Sequence, residues 1–284
     1  MGGQTQMISD NQTNTIYFSE LLRTDSRFSK TVNQIVSILD DFGAKYKFLP
    51  DTKDIWARDY MPIQINESTY IEYRFDPDYL QGSTKGYRDI KTYPDIVCAT
   101  LGLQTKKTDV ILDGGNFVKS TDCIILTDKI VKENRISYKK SELIKKLQDV
   151  FEVEKIVLIP WDKSEEFGHS DGMVRFIDNE TVVTQYYYRD YEPMLKPLRK
   201  AGLKIEYIDY KTNRKDKRDW AYLNFLQTKD LILLPTFGIE HDKQAFEQME
   251  NFYPDYKGNI YQIDMNETVK FSGALNCISW TTME

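Results

Sequence analysis

The chain has 284 residues, 40% of them apolar, and 38 basic against 44 acidic side chains give a net charge of −6. That is enough apolar material for a sizeable globular core, and the mixed, mildly acidic charge excludes a general attraction to nucleic acid or anionic membrane. No run approaches the roughly 18 apolar residues of a membrane-spanning helix. The opening stretch MGGQTQMISDNQTN is polar, lacks the apolar segment of a secretory signal and has Gln6 where a myristoylation motif calls for Ser or Thr, so the expected address is cytoplasmic. Three widely spaced cysteines, Cys98, Cys123 and Cys277, fit neither a disulfide framework nor a zinc pattern and are expected to be reduced thiols.

In chain order, NTIYFSEL reads as a strand. SKTVNQIVSILDDFG follows as an amphipathic helix, with Val32, Ile35, Val36 and Leu39 at helical spacing and Gly43 as its C-cap, and leads into the strand KYKFLP. The same helix-to-strand pair recurs as DIVCATLGL into KTDVIL, SELIKKLQDVF into EKIVLIP, EPMLKPLRKAG into LKIEYIDY and KQAFEQMENFY into NIYQIDM. After each pair come a polar loop and a short segment: RDYMPIQI, GNFVKS, SDGMVRFI, LNFLQT and LNCISW. Aligned, these segments put Asp59, Asn116, Asp171, Asn224 and Asn276 in register, at separations of 57, 55, 53 and 52 residues.

A period of that size marks a supersecondary unit that cannot bury its apolar face alone. Here the unit reads strand, strand, helix, strand. The last copy lacks its helix and the N-terminus supplies a strand and a helix, so the two ends are expected to complete one unit together. The expectation is therefore a single domain over residues 1–284, a five-bladed pseudo-fivefold α/β propeller of ββαβ units whose equivalent loops converge at one end of the axis. An open α/β sheet is the plainer alternative.

If the register holds, one mouth receives Trp56, Arg58 and Asp59, then Asp113 and Asn116, His169 and Asp171, Asn224, and Cys277. On an extended segment, residues two apart face one side, so His169 and Asp171 in GHSD are expected to point together toward the axis. Two carboxylates around a pocket suit a planar cation with several N–H donors, which guanidinium is. A thiolate placed over its central carbon and a histidine able to move protons near neutral pH complete a nucleophilic site. Taken singly, these residues have plainer readings. Cys277 could be a small buried hydrophobe, as Cys98 and Cys123 are expected to be; His169 could be a core histidine, Asp59 and Asp171 loop caps, and Asp113-Gly114-Gly115 a turn. His241 reads as a surface or capping residue. KTNRKDKRD, residues 211–219, reads as a solvated loop that could gate the mouth.

DIWARDYMPI, ILDGGNFV, FGHSDGMVRFI, AYLNF with LILLPTFG, and SGALNC resemble, in that order, the blocks of the agmatine deiminase and Porphyromonas-type peptidylarginine deiminase family, within the guanidino-group modifying superfamily. The resemblance runs from about residue 50 to 280 and implies the pentein-like propeller and a deimination: a guanidinium hydrolysed to a ureido group plus ammonia, with no metal or organic cofactor. By position it makes Cys277 the nucleophile, His169 the general acid and base, and Asp59 and Asp171 the guanidinium-binding carboxylates. Asp113 lies where Glu is common and is expected to orient His169 or the pocket wall.

The departures bear on substrate. The chain is short for an agmatine deiminase, its N-terminal strand lacks the Trp- and Pro-rich block, and GALN precedes Cys277 where a glycine-rich block is usual. In EYRFDPDYL the secreted peptidylarginine deiminase has two arginines that hold a C-terminal carboxylate; here Arg74 is present and Asp76 takes the second place. Asp76 or Asp78 could instead meet an amine. The expected partner is a small guanidino compound such as agmatine, with free or peptidyl arginine as the alternative. Amidinotransfer to an amine and a non-catalytic guanidino-binding propeller are further readings, and oligomeric state is not legible.

Overall fold

The computed structural model describes residues 6–81, 87–163, 167–210 and 216–284. Among these residues, fifteen strands form five separate three-stranded sheets, each built the same way. In the first, β1 (Thr15–Ser19) is followed by α1 (Glu20–Thr24) and α2 (Ser29–Phe42), which return the chain to β2 (Lys45–Leu49), parallel to β1. The second follows a short α3 (Ala57–Tyr60) and contains β3 (Ile63–Asn66), β4 (Thr69–Arg74), α4 (Pro94–Thr100) and β5 (Lys106–Ile111). The third has β6 (Val118–Lys119), β7 (Cys123–Thr127), α5 (Lys129–Glu133), α6 (Lys140–Phe151) and β8 (Lys155–Ile159). The fourth has β9 (Val174–Phe176), β10 (Thr181–Gln185), α7 (Glu192–Lys200) and β11 (Lys204–Ile208). The fifth has β12 (Leu226–Gln227), β13 (Ile232–Thr236), α8 (Glu240–Phe252) and β14 (Ile260–Asp264). The last strand, β15 (Ser279–Thr282), pairs antiparallel with β1, Thr15 opposite Thr282 and Phe18 opposite Ser279, so the chain ends share the first sheet.

In each sheet the strand order is an antiparallel pair followed by a parallel neighbour reached through a helical crossover. Burial grades across it. The first strands and the middle strands β1 and β7 are almost wholly buried, whereas β2 and β11 alternate exposed and half-buried residues. A strand with one wet face alternates and one covered on both faces does not, so the first strands lie inside and the crossover strands outside.

The helices are amphipathic for the reasons the sequence suggests. Val32, Ile35 and Leu39 of α2 are buried, and Gly43, at φ +76°, donates its N–H to Leu39 and Asp40 carbonyls in the left-handed cap that glycine adopts without strain. Leu143, Leu147 and Phe151 do the same on α6, and Met194, Leu195 and Leu198 on α7, which packs on β8 of the preceding sheet. The buried strands and helix faces form contiguous apolar clusters, the largest joining Tyr60, Tyr73, Leu126, Phe151 and Trp280 from different sheets. Cys98 and Cys123 are buried in helix α4 and strand β7, with no disulfide partner. No helix of the described residues is long and apolar enough to cross a membrane.

Candidate active site

The five register residues do not start strands, as the alignment suggests; each lies in a turn or short helix just before one. Asp59 is on α3, Asn116 ends a 3-10 turn over 114–116, and Asp171 lies in a turn whose Ser170 carbonyl accepts the N–H groups of Met173 and Val174. His169 and Asp171 therefore reach one cavity through a turn and not through an extended segment. Sharp turns let a side chain leave the end of a sheet toward the cavity, which a continuing strand would not.

These turns are bonded to one another in a closed circuit. The Gly115 N–H donates to Asp59 Oδ1 at 3.1 Å, Asp171 N–H to the Gly115 carbonyl at 3.1 Å, and Asn224 Nδ2 to Asp171 Oδ2 at 2.8 Å. Asn276 N–H donates to the Asn224 carbonyl at 2.9 Å, and Arg58 N–H to the Cys277 carbonyl at 3.1 Å. Each of the five units is thus tied to the next at the level of its register residue. Asn276 Nδ2 adds a second bond to Asp171 Oδ2 at 2.7 Å, and Asn224 Oδ1 accepts the Cys277 N–H at 3.2 Å.

Around this circuit sit the groups with chemistry. Cys277, 5% exposed, has Sγ 3.7 Å from Asp171 Oδ2. His169 Nε2 is 3.1 Å from Asp113 Oδ2, and its Nδ1 faces Asp59 Oδ1 at 3.9 Å. Two cavities, about 330 and about 730 Å3, meet at His169, Ser272 and Cys277. The smaller is lined by Asp54, Trp56, Asp59, Tyr79, Phe167 and Phe271 among others, the larger by Asp171, Tyr188, Lys217, Arg218 and Trp220.

The electrostatics are set by buried acidic groups. Burial, with Asp113, Asp171 and Asp54 nearby, pushes Asp59 up to about 8 despite the opposing pull of His169. Burial also lifts the Cys277 thiol well above its usual range, and the charges of Asp171 and Asp59 lift it further. Removing a carboxylate from water without a countercharge costs free energy, so a bound planar cation would draw both groups toward their ionised forms. The sign follows: Asp59 is protonated below about pH 8, so cation binding below that pH releases a proton. Titration of a non-reacting alkylguanidine into Cys277→Ala protein, which leaves out the thiol, by calorimetry in buffers of different ionisation enthalpy should show net proton release at pH 7 that fades above pH 9. Equal heats in all buffers at pH 7 would contradict this account.

The remaining predicted site residues divide. Trp56 lines the smaller cavity, its ring pressed on Gly273, where a Cβ would lie 2.0 Å from Cζ3. Asn116 and Asn224 are buried beneath the cavities. Asn116 Oδ1 accepts the Thr127 N–H at 2.7 Å, and Asn224 ties Asp171 to Cys277, so both brace the site without lining it. Arg58 lines neither of the two cavities but a third, small one with Lys119 and Trp280, and with Arg175 it holds Asp10 down against the opposing effect of burial. Arg74 pairs with Asp76 at 2.7 Å, and Asp76 also with Lys91 at 2.8 Å; neither lines the two cavities. Asp78 is engaged by Lys129 and Lys132. An amine-binding role for Asp76 or Asp78 is thus disfavoured, because each already has its cation. His241 is not a surface residue: it is 5% exposed, with Nδ1 2.6 Å from Asp219 Oδ1, and the cap at that helix is Asp242, which accepts the N–H groups of Phe237, Gly238 and Ile239. Residues 211–215 of the basic loop lie outside the described residues; beyond them, Arg218 pairs with Asp216.

Several residues of the site carry no isolated sequence signal. Asp54 lines the smaller cavity. Lys129, 1% exposed, donates to the Phe167 carbonyl at 2.6 Å and sits 3.9 Å from Asp113. Gly115 packs where a Cβ would lie 2.5 Å from His169 Nδ1 and 2.7 Å from Asp59 Oδ1. Gly115→Ala should therefore move both groups and lower kcat/KM by roughly 100-fold, the scale of an ångström-sized misplacement, with the far-UV spectrum unchanged. Activity within threefold of wild type would show that the pocket tolerates the displacement.

A family model described as Porphyromonas-type peptidyl-arginine deiminase matches residues 5–282. An Enterococcus faecalis protein provisionally named agmatine deiminase is 27% identical over 274 residues, covering 80% of this chain and 74% of its own. Among solved structures, the Campylobacter jejuni agmatine deiminase superposes with a TM-score of 0.77 at 17% identity, covering 98% of this chain and 96% of that one. The Enterococcus faecalis agmatine deiminase does so at 0.71 and 17% identity, covering 100% and 99%.

Proposed function

The chain belongs to the Porphyromonas-type peptidyl-arginine deiminase family, and from that premise we propose that it hydrolyses the guanidinium of a small alkylguanidine, agmatine above others, to a ureido group and ammonia. The observation that carries this reading is that one hydrogen-bonded circuit joins Asp59, Asp171 and Cys277, with His169 facing Asp59 beside it, where two cavities meet. We read the five sheets as the blades of a closed propeller forming one domain, with that circuit as its axial ring.

In this mechanism Asp59 and Asp171 hold the guanidinium from two edges through charge-assisted hydrogen bonds. The bound cation offsets the negative field at Cys277, so its proton leaves and the sulfur adds to the guanidinium carbon, forming a C–S bond. His169, its Nε2 on Asp113, gives a proton to the departing nitrogen; the C–N bond breaks and ammonia leaves a covalent thiouronium. His169 then takes a proton from water, the water oxygen bonds to the carbon, and the C–S bond breaks to release the ureido product and the thiol. None of these steps calls for a metal or organic cofactor.

Agmatine is favoured over peptidyl arginine because Asp76, next to Arg74, stands where a second arginine would be needed to hold a carboxylate. Ammonia and ureido product should be measured from agmatine, arginine and a short arginine peptide in parallel. Turnover of agmatine alone supports the full reading; turnover of arginine or the peptide instead would keep the deiminase and replace its substrate, and no turnover by folded protein would sink the reaction.

A further inference from the structure

The smaller cavity contains a carboxylate that the proposed chemistry does not use. Asp54 lies two residues before Trp56, and its Oδ1 accepts the Trp56 N–H at 3.0 Å. No cation is paired with Asp54 among the described residues, in contrast to Asp76, Asp78, Asp122 and Asp264, each of which has a lysine within reach. Asp54 lines a lobe together with Trp56, Phe75, Tyr79, Phe167 and Phe271, and with Asp59. Lys270 also borders that lobe, but it is exposed at the rim and makes no ion pair with Asp54. Burial without a countercharge pushes the Asp54 carboxyl up to about 7.

An unpaired carboxylate in an aromatic-walled lobe favours a cation that brings its own apolar stem, since methylenes pack on the rings while the charge is neutralised. The lobe, about 330 Å3, is at the small end of ligand-sized cavities, roughly 300–1,000 Å3. Cys277 and Asp59 line the same lobe as Asp54. We propose that Asp54 is the subsite for the distal ammonium of an ω-aminoalkylguanidine, selecting a substrate that is cationic at both ends over one whose tail is neutral or ends in a carboxylate. This rests on the deiminase reading and names the residue that sets its tail specificity.

The test compares agmatine with butylguanidine, which has the same four-carbon chain and guanidinium but no amine. Wild-type protein should favour agmatine in kcat/KM by roughly 10- to 100-fold, the worth of a hydrogen bond to a charged group. In Asp54→Asn, which keeps an oxygen for the Trp56 N–H, that ratio should fall to within about threefold of one, with the loss carried by the KM for agmatine. An unchanged ratio, or equal losses for both compounds, would overturn the assignment. Binding of both compounds to Cys277→Ala protein, by calorimetry, separates this from the reaction itself. If wild type turns over neither compound, the deiminase reading fails; a preference for agmatine binding that depends on Asp54 would still support the subsite, and its absence would refute it.

Discussion

Cys277→Ser is expected to lower ammonia release from agmatine by at least about 10^4-fold, the order seen when the nucleophile of a covalent catalyst is removed, while the variant still binds alkylguanidine. A serine oxygen would occupy nearly the same place, because Asn224 Oδ1 holds the Cys277 N–H and the Cys277 carbonyl holds Arg58. It would not ionise there. Even the thiol is pushed far up, first by burial and then by Asp171 and Asp59, and an alcohol starts several units higher. For the same reason the wild-type thiol should alkylate slowly with iodoacetamide at pH 7 and faster only as pH rises. A bound, non-reacting guanidinium should move that pH profile to lower pH. Profiles with the same midpoint, with and without the cation, would exclude thiolate formation driven by substrate. Serine turnover within 100-fold of wild type would remove Cys277 from the chemistry altogether.

The fold was legible because its information repeats. Five helix-to-strand pairs and five register residues reinforce one another, and the chain ends had to share a sheet once the last unit was seen to lack its helix; β15 pairs with β1. Cys277, His169, Asp59, Asp171 and Asp113 could be placed together because each is counted from a register position. What the count could not supply was direction. Arg58 adjoins Asp59 in sequence, yet on the short helix α3 the two leave opposite sides, one toward the cavity and one toward Asp10. Arg74 ends strand β4 and Asp76 lies two residues beyond it, and the two pair with each other, and Asp76 with Lys91, instead of lining the cavities. Asp54, Lys129 and Gly115 were hidden because their roles come from neighbours distant in sequence: an aromatic lobe, the Phe167 carbonyl, and a histidine ring pressed on a missing Cβ. His241 looked like a capping residue because it opens a helix, but Asp219, 22 residues earlier, buries it.

Asp171→Asn should change two measurements in opposite directions. Asp171 Oδ2 accepts from both Asn224 and Asn276 while facing the Cys277 sulfur, so the carboxylate is held by donors it cannot exchange. In the variant, the amide oxygen must take those two bonds, which turns the NH2 group toward the cavity and sets donor against donor where the guanidinium binds. Loss of one partner from a buried, hydrogen-bonded charge pair costs about 2–5 kcal/mol, so kcat/KM for agmatine should fall roughly 30- to 3,000-fold. Yet Asp171 is the largest charge holding the Cys277 thiol up, second only to burial. With that charge gone, thiolate forms at lower pH, and iodoacetamide should alkylate Cys277 faster in the variant than in wild type at pH 7–8. A collapse of local structure would lower activity too, but it would also expose Cys98 and Cys123; mass mapping of the alkylated peptides distinguishes the cases. Slower turnover with faster, Cys277-confined alkylation fits a carboxylate that both binds the cation and restrains the nucleophile. Slower or unchanged alkylation at that single residue would mean that burial alone, and not Asp171, keeps the thiol protonated.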